Sequence, residues 1–132
     1  MSSIQEKHTV AMDLAEAAFV AKLRGDLEQA SLLTRQAFEN EQAAAALIAN
    51  QLDAEPTRSV LHRSAANLAV NCGELEAAER LIATALSGNP PTEIAEELKD
   101  LFTQINLRPY LQRHGIKVDN EQINALILKN VS

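Results

Sequence analysis

The chain has 132 residues, 46% of them hydrophobic and 23% charged, with a formal net charge of −6. These values are typical of one soluble domain with a real core, and the acidic balance argues against unspecific binding to nucleic acid or anionic lipid, which needs clustered Lys and Arg. With one cysteine, no membrane-length apolar run and no signal-peptide pattern, we expect a cytoplasmic protein without an internal disulfide.

Two helices are predicted in the first part of the chain. A polar stretch that ends at Lys7 is expected to fray, and apolar residues then recur at helical spacing up to Leu23. The second helix is predicted from Leu27 to about Leu52. At about 39 Å it is longer than its neighbours can cover, so its far end needs the third helix, the C-terminal segment or a second subunit as a partner.

Residues 59–90 predict a helical hairpin. Apolar residues recur every three or four positions on both sides of Gly73, where glycine can adopt the positive φ that ends a helix. Small residues should let the two helix axes approach closely: Ala66, Ala69, Ala78 and Ala85. A Gly-Asn-Pro segment at residues 88–90 ends the second helix.

This hairpin resembles a tetratricopeptide repeat, a unit of about 34 residues that forms a helix-turn-helix. Its marker positions are the small residues Ala66, Ala78 and Ala85, the turn residue Gly73 and the closing Pro90. The sequence departs from the repeat at two positions that usually hold large residues, His62 and Ala69.

A second copy of the turn supports the repetition. The segment GDLEQA at residues 25–30 has the form of GELEAA at residues 73–78, and the two are 48 residues apart. Over nearly the whole chain the sequence is also similar to bacterial proteins of unassigned role, through the segments at residues 55–70 and 88–98, a similarity that implies no activity. The resemblance implies an all-α fold of tetratricopeptide-like antiparallel hairpins, with about five helices in a domain at residues 1–107.

Basic and amide side chains on the third helix form a candidate partner site. Arg58, His62 and Arg63 lie within six positions near a helix N-terminus, so an anion could bind there. Arg63, Asn67 and Asn71 share one helix face, where Arg63 could hold a carboxylate and Asn67 a peptide backbone. The alternatives are that Arg63 pairs with a neighbouring Glu, that the asparagines are solvated and that His62 is only a packed or exposed side chain.

The family resemblance places part of this row on the inner surface of the repeat. It puts Arg63 and Asn67 there, together with Phe19 of the first helix, which could anchor a partner or simply pack in the core. The row resembles half of the carboxylate-binding arrangement of some tetratricopeptide proteins. The other half is absent, because the following helix carries Ile94, Glu97 and Leu98.

The C-terminal part predicts a fifth helix from Thr92 that stops at Arg108-Pro109, followed by a tail that docks on the domain or on a partner. Two interpretations of this tail, residues 108–132, stay open. Asp119 could cap a helix, or residues 110–118 and 122–128 could form two strands, which the β-branched residues favour slightly.

We therefore predict a protein-interaction module that binds a peptide segment or partner protein in its helical groove. One alternative is a homo-oligomer built through the second helix and the tail. Another is a small-ligand regulator or an enzyme, although no Gly-rich phosphate loop, metal-ligand pair or nucleophile motif occurs. No catalytic residue, cofactor, metal, nucleic acid or membrane partner is predicted, and whether the chain is part of a longer protein stays open.

Overall fold

A computed structural model describes residues 3–117 and 119–131, without the side chains of residues 126–131. These residues form six helices and no strand, which confirms the all-α prediction. The helices are α1 (Ser3–Leu23), α2 (Leu27–Ile48), α3 (Thr57–Asn71), α4 (Leu75–Leu86), α5 (Thr92–Arg113) and α6 (Asn120–Val131). Within the described residues, no helix combines the length and the apolarity needed to cross a membrane.

The first four helices form two antiparallel hairpins. The start of α1 contacts the end of α2, where His8 Nδ1 lies 2.9 Å from both carboxylate oxygens of the buried Glu41. The start of α3 likewise contacts the end of α4, through Arg58 and the carbonyl of Thr84. Helix α2 packs on α3, α5 packs on both α3 and α4, and α6 contacts α5. The hairpins are therefore stacked in chain order.

The same backbone turn closes both hairpins. Gly25 and Gly73 each have a φ of 81°, which is accessible to glycine without a steric penalty. The residue after each glycine, Asp26 or Glu74, donates its N–H to a carbonyl five residues earlier, at 2.9 and 2.8 Å. This is the hydrogen bond of a Schellman turn, and it satisfies a carbonyl that the end of the helix leaves free. The predicted helix ends at these glycines are confirmed.

Alanines form the contact between the helices of the second hairpin. The four alanines predicted there are completely buried: Ala66, Ala69, Ala78 and Ala85. The same core contains Ala37, Ala44, Ala45 and Ala65 of α2 and α3, also without exposed surface. Small side chains let helix axes approach closely at these positions, while leucine, isoleucine and phenylalanine side chains fill the rest of the core.

Two boundaries near the start of the chain differ from the prediction. Helix α1 begins at Ser3 instead of after Lys7, because Ile4 packs against the core and His8 pairs with Glu41. Helix α2 ends at Ile48 instead of near Leu52, and one face of its last turns, with Ala44, Ala45 and Ile48, is buried. Its C-terminal half therefore finds its partners inside the same chain.

The predicted end of the fifth helix at Arg108-Pro109 was wrong. Helix α5 runs through Pro109 to Arg113. Proline removes one donor but has a φ close to the helical value, so it weakens a helix without always ending it. The helix ends at the turn of Gly115, where Ile116 N–H donates to the carbonyl of Leu111 at 2.9 Å.

The favoured pair of strands is absent from the described residues. The residues that follow Asp119 form α6, and Asp119 Oδ1 accepts hydrogen bonds from the N–H groups of Glu121 and Gln122 at 3.0 and 3.1 Å. This side-chain cap is the alternative that the sequence left open. It outweighs the β-preference of the branched residues, because that preference depends on a sheet to pack in, and none is present in the described chain.

Candidate functional site

The structure divides the six predicted site residues into two groups. Arg58 and His62 lie in the interior, each 1% exposed. The other four reach the surface to different extents: Phe19, Arg63, Asn67 and Asn71. The two groups have different partners and therefore different roles.

The Arg58 guanidinium joins the ends of two helices. Its Nε donates to the carbonyl of Ala49 at 2.8 Å, just after α2, and its Nη2 and Nη1 donate to the carbonyls of Thr84 and Ala85 at 2.9 and 3.4 Å, in the last turn of α4. The last carbonyls of a helix lack backbone partners and carry partial negative charge, so a buried cation is stabilised there. The anion site expected at Arg58 is thus occupied by carbonyls of the chain itself.

A side chain of the same chain also caps the N-terminus of α3. Glu55 Oε1 accepts the backbone N–H of Ser59 at 2.9 Å, and Oε2 accepts the Ser59 hydroxyl at 2.7 Å. A carboxylate at this end of a helix binds free N–H groups and complements the positive end of the helix dipole. The positive charge that the sequence suggested at this helix end is therefore balanced by Glu55.

His62 is a packed side chain. Its Nδ1 lies 2.7 Å from the carbonyl of Arg58, one turn earlier in α3. A carbonyl oxygen only accepts, so Nδ1 carries the proton and donates. Burial lowers the pKa of His62 below its ordinary value, since the interior disfavours the charged imidazolium.

Arg63 and Asn67 are exposed to solvent but already have partners. Arg63 Nη1 donates to Glu97 Oε2 of α5 at 2.9 Å, which is the ion pair that the sequence analysis kept as an alternative. Asn67 donates its amide N–H to the carbonyl of Arg63 at 3.1 Å, within its own helix. A ligand at this part of α3 would have to compete with both interactions.

Phe19 and Asn71 lie together in one cleft between α1, α2 and α3. The cleft has a volume of about 450 Å³. Its apolar part has large side chains, Phe19, Leu27 and Leu68, around small ones, Ala15, Ala18 and Ala30. Its polar part consists of Lys22, Ser31, Thr34 and Asn71. The cleft thus offers both apolar surface and polar groups to a ligand.

Eight of the ten residues that line the cleft, Lys22, Leu27 and Ser31 among them, were not predicted as site residues. Lys22 follows Phe19 by three positions, which places both on the same side of α1, so helical spacing was a usable signal. Leu27 and Ser31 come from the start of α2 and reach the cleft only because α2 packs between α1 and α3. The sequence contains no local signal for that placement.

The apolar surface of the cleft continues onto the turn between α1 and α2. Phe19, Leu23 and Leu27 are 62%, 72% and 66% exposed, more than any other large hydrophobic residue in the described part of the chain. Phe19 and Leu23 are four residues apart on α1 and so are neighbours on the helix surface. We call these three residues the apolar strip. A concentration of exposed apolar side chains marks an interaction surface more often than isolated ones do.

Comparisons with protein-family models, curated proteins and solved structures found no match to this chain.

We expect Arg58→Met to lower the free energy of unfolding by about 3 kcal/mol, because three carbonyls each lose one hydrogen bond and two helix ends lose their shared cation. Urea denaturation measures this change. The control is Arg80→Met at an exposed arginine of α4, where the change should stay within about 0.5 kcal/mol. Equal stabilities of the two variants would show that the Arg58 hydrogen bonds contribute little.

A double-mutant cycle with Gly88 tests the same contact. A Cβ at Gly88 would lie 2.5 Å from Arg58 Nη1, and the hydrogen bonds of the guanidinium resist its displacement. Gly88→Ala should therefore destabilise the wild-type chain by about 1–3 kcal/mol and have much less effect in the Arg58→Met background. The same loss in both backgrounds would contradict a clash with Arg58.

We expect the stability to fall in acid partly through His62. Its lowered pKa means that the unfolded chain binds a proton at a higher pH than the folded chain, so unfolding is favoured as the pH drops below about 6.5. Between pH 7 and 5, the unfolding free energy should fall more steeply in the wild type than in His62→Gln, by up to about 1.4 kcal/mol per pH unit. Denaturant titrations at several pH values measure the slopes, with the exposed His114→Gln as control. Parallel profiles for wild type and His62→Gln would contradict this assignment.

Proposed function

We propose that this protein is a tetratricopeptide-like interaction module that binds a segment of a partner protein in the cleft between α1, α2 and α3. The observation that carries this proposal is the cleft itself, where an exposed Phe19 faces the same space as Asn71. Aromatic side chains contribute a large apolar surface at little entropic cost and are frequent anchors in protein interfaces.

The arrangement of the hairpins supports the tetratricopeptide-like interpretation. The two hairpins stack in chain order with Gly25 and Gly73 at matching turns, and the alanine markers of the repeat lie in the core. Helices α1 and α2 are 21 and 22 residues long, which makes the first hairpin longer than the repeat pattern requires. The second hairpin is therefore the closer match to the repeat.

The polar groups of the cleft also favour a peptide ligand. The side chains of Lys22, Ser31 and Asn71 form no hydrogen bond or ion pair with any residue that the structure describes. An exposed amide can pair with both the N–H and the C=O of a peptide backbone, so Asn71 suits an extended segment. By contrast, Arg63 and Asn67 are already engaged.

The test begins with a selection of twelve-residue peptides from a random display library on the full chain. Recovered peptides are synthesised, and their dissociation constants are measured by fluorescence anisotropy with the wild type, Phe19→Ala and Phe102→Ala. Phe102 is a matched control, since it is 44% exposed on α5 and lies outside the cleft lining.

We expect Phe19→Ala to weaken peptide binding at least about tenfold, because the apolar anchor of the cleft is lost. Its unfolding free energy should change by no more than about 0.5 kcal/mol, since Phe19 is mostly exposed. Phe102→Ala should bind like the wild type. If both variants bind equally well, or if no peptide is recovered, the cleft is not the binding site. A concentration-dependent dimer that Phe19→Ala dissolves would instead favour the self-assembly alternative.

A further inference from the structure

The cleft carries one sign of charge. Of the described residues that line it, Lys22 is the only charged one, and its ammonium has no carboxylate partner among the described residues. Arg35 and Arg63, by contrast, form ion pairs with Glu74 and Glu97. An unpaired cation beside exposed apolar side chains is complementary to an apolar segment that carries a carboxylate.

Lys22 also has a defined place along the apolar strip. It lies between Phe19 and Leu23 in α1, and Leu27 follows across the turn. A bound segment that covers the whole strip therefore passes the ammonium partway along its length. A carboxylate at the very end of a partner chain would leave part of the strip uncovered, so an acidic side chain inside a longer segment fits better.

We infer that the occupant of the cleft is an internal acidic segment of a partner protein, with a bulky apolar side chain on the strip and a neighbouring Asp or Glu paired with Lys22. This inference rests on the proposed function and adds the chemical class of the partner. The apolar side chain contacts Phe19 and Leu27, the carboxylate accepts from the Lys22 ammonium, and the Asn71 amide bonds to the segment backbone.

The net charge of −6 does not prevent this binding. At physiological ionic strength, charges separated by more than about 8 Å in solvent are largely screened, whereas a carboxylate in contact with Lys22 is screened much less. The net charge of the chain therefore affects mainly the rate of association, whereas Lys22 stabilises the bound complex. A basic segment would instead be repelled by the Lys22 ammonium.

The experiment uses a peptide recovered from the display selection, acetylated and amidated so that it has no terminal carboxylate. Two copies of it replace the acidic residues next to the apolar anchor by Gln or by Lys. All three peptides are titrated against the wild type, Lys22→Gln and Lys22→Glu. Lys99→Glu is the control, because Lys99 is an exposed lysine of α5 outside the cleft and its reversal changes the net charge equally.

We expect the wild type to bind the acidic peptide about five-fold more tightly than its Gln copy, the upper range for an exposed ion pair. Lys22→Gln should remove this preference, Lys22→Glu should reverse it in favour of the Lys copy, and Lys99→Glu should leave it unchanged. A wild type that binds the three peptides equally, a preference that persists in Lys22→Gln, or a requirement for a free C-terminal carboxylate would each overturn the inference.

Failure of this inference is distinguishable from failure of the proposed function. If Phe19→Ala weakens binding while the charge changes have no effect, the cleft binds a partner segment through apolar contacts and Lys22 does not select it. If Phe19→Ala also has no effect, peptides bind elsewhere and both proposals fail. Because Lys22 is exposed, its variants should unfold like the wild type, and urea denaturation verifies this.

Discussion

The Arg58 guanidinium joins three helices, α2, α3 and α4, through hydrogen bonds in their shared core. Its charge has no carboxylate partner in the described structure and is stabilised by carbonyls at the ends of α2 and α4. Because those carbonyls are fixed in the backbone, the contact sets the position of both helices relative to α3. The alanine contacts between the helices depend on this arrangement, because an alanine side chain is too short to keep its contact if a helix axis is displaced.

The two ends of the stacked hairpins have different roles. At the end that contains Arg58, buried polar groups are paired with one another, as in the cap that Glu55 forms on Ser59. At the end that contains the Gly25 turn, apolar side chains are exposed beside a cleft with unpaired polar groups. Stability and the proposed binding are thus separated in space. Substitutions in the apolar strip can change binding without removing the contacts that hold the helices.

The candidate site illustrates where sequence patterns fail. Arg58 and Arg63 are residues of one type, five positions apart, and helical spacing places both near the start of α3. One is buried against helix ends, and the other is paired with Glu97. Which arginine faces inward depends on how α3 is rotated against α2 and α4, and that rotation follows from contacts distant in sequence. The same holds for Leu27, which joins the cleft through packing of α2.

By itself the sequence determined the helical class, the hairpin turns at Gly25 and Gly73 and the alanine contacts, because these features depend on local backbone preference and helical period. It also singled out Phe19 and Asn71, although not the cleft that joins them. Tertiary structure alone decided the burial of Arg58 and His62 and the packing that brings Leu27 into the cleft. These outcomes depend on the free energy of packing between distant elements, which outweighs local propensity and leaves no trace in the spacing of residues.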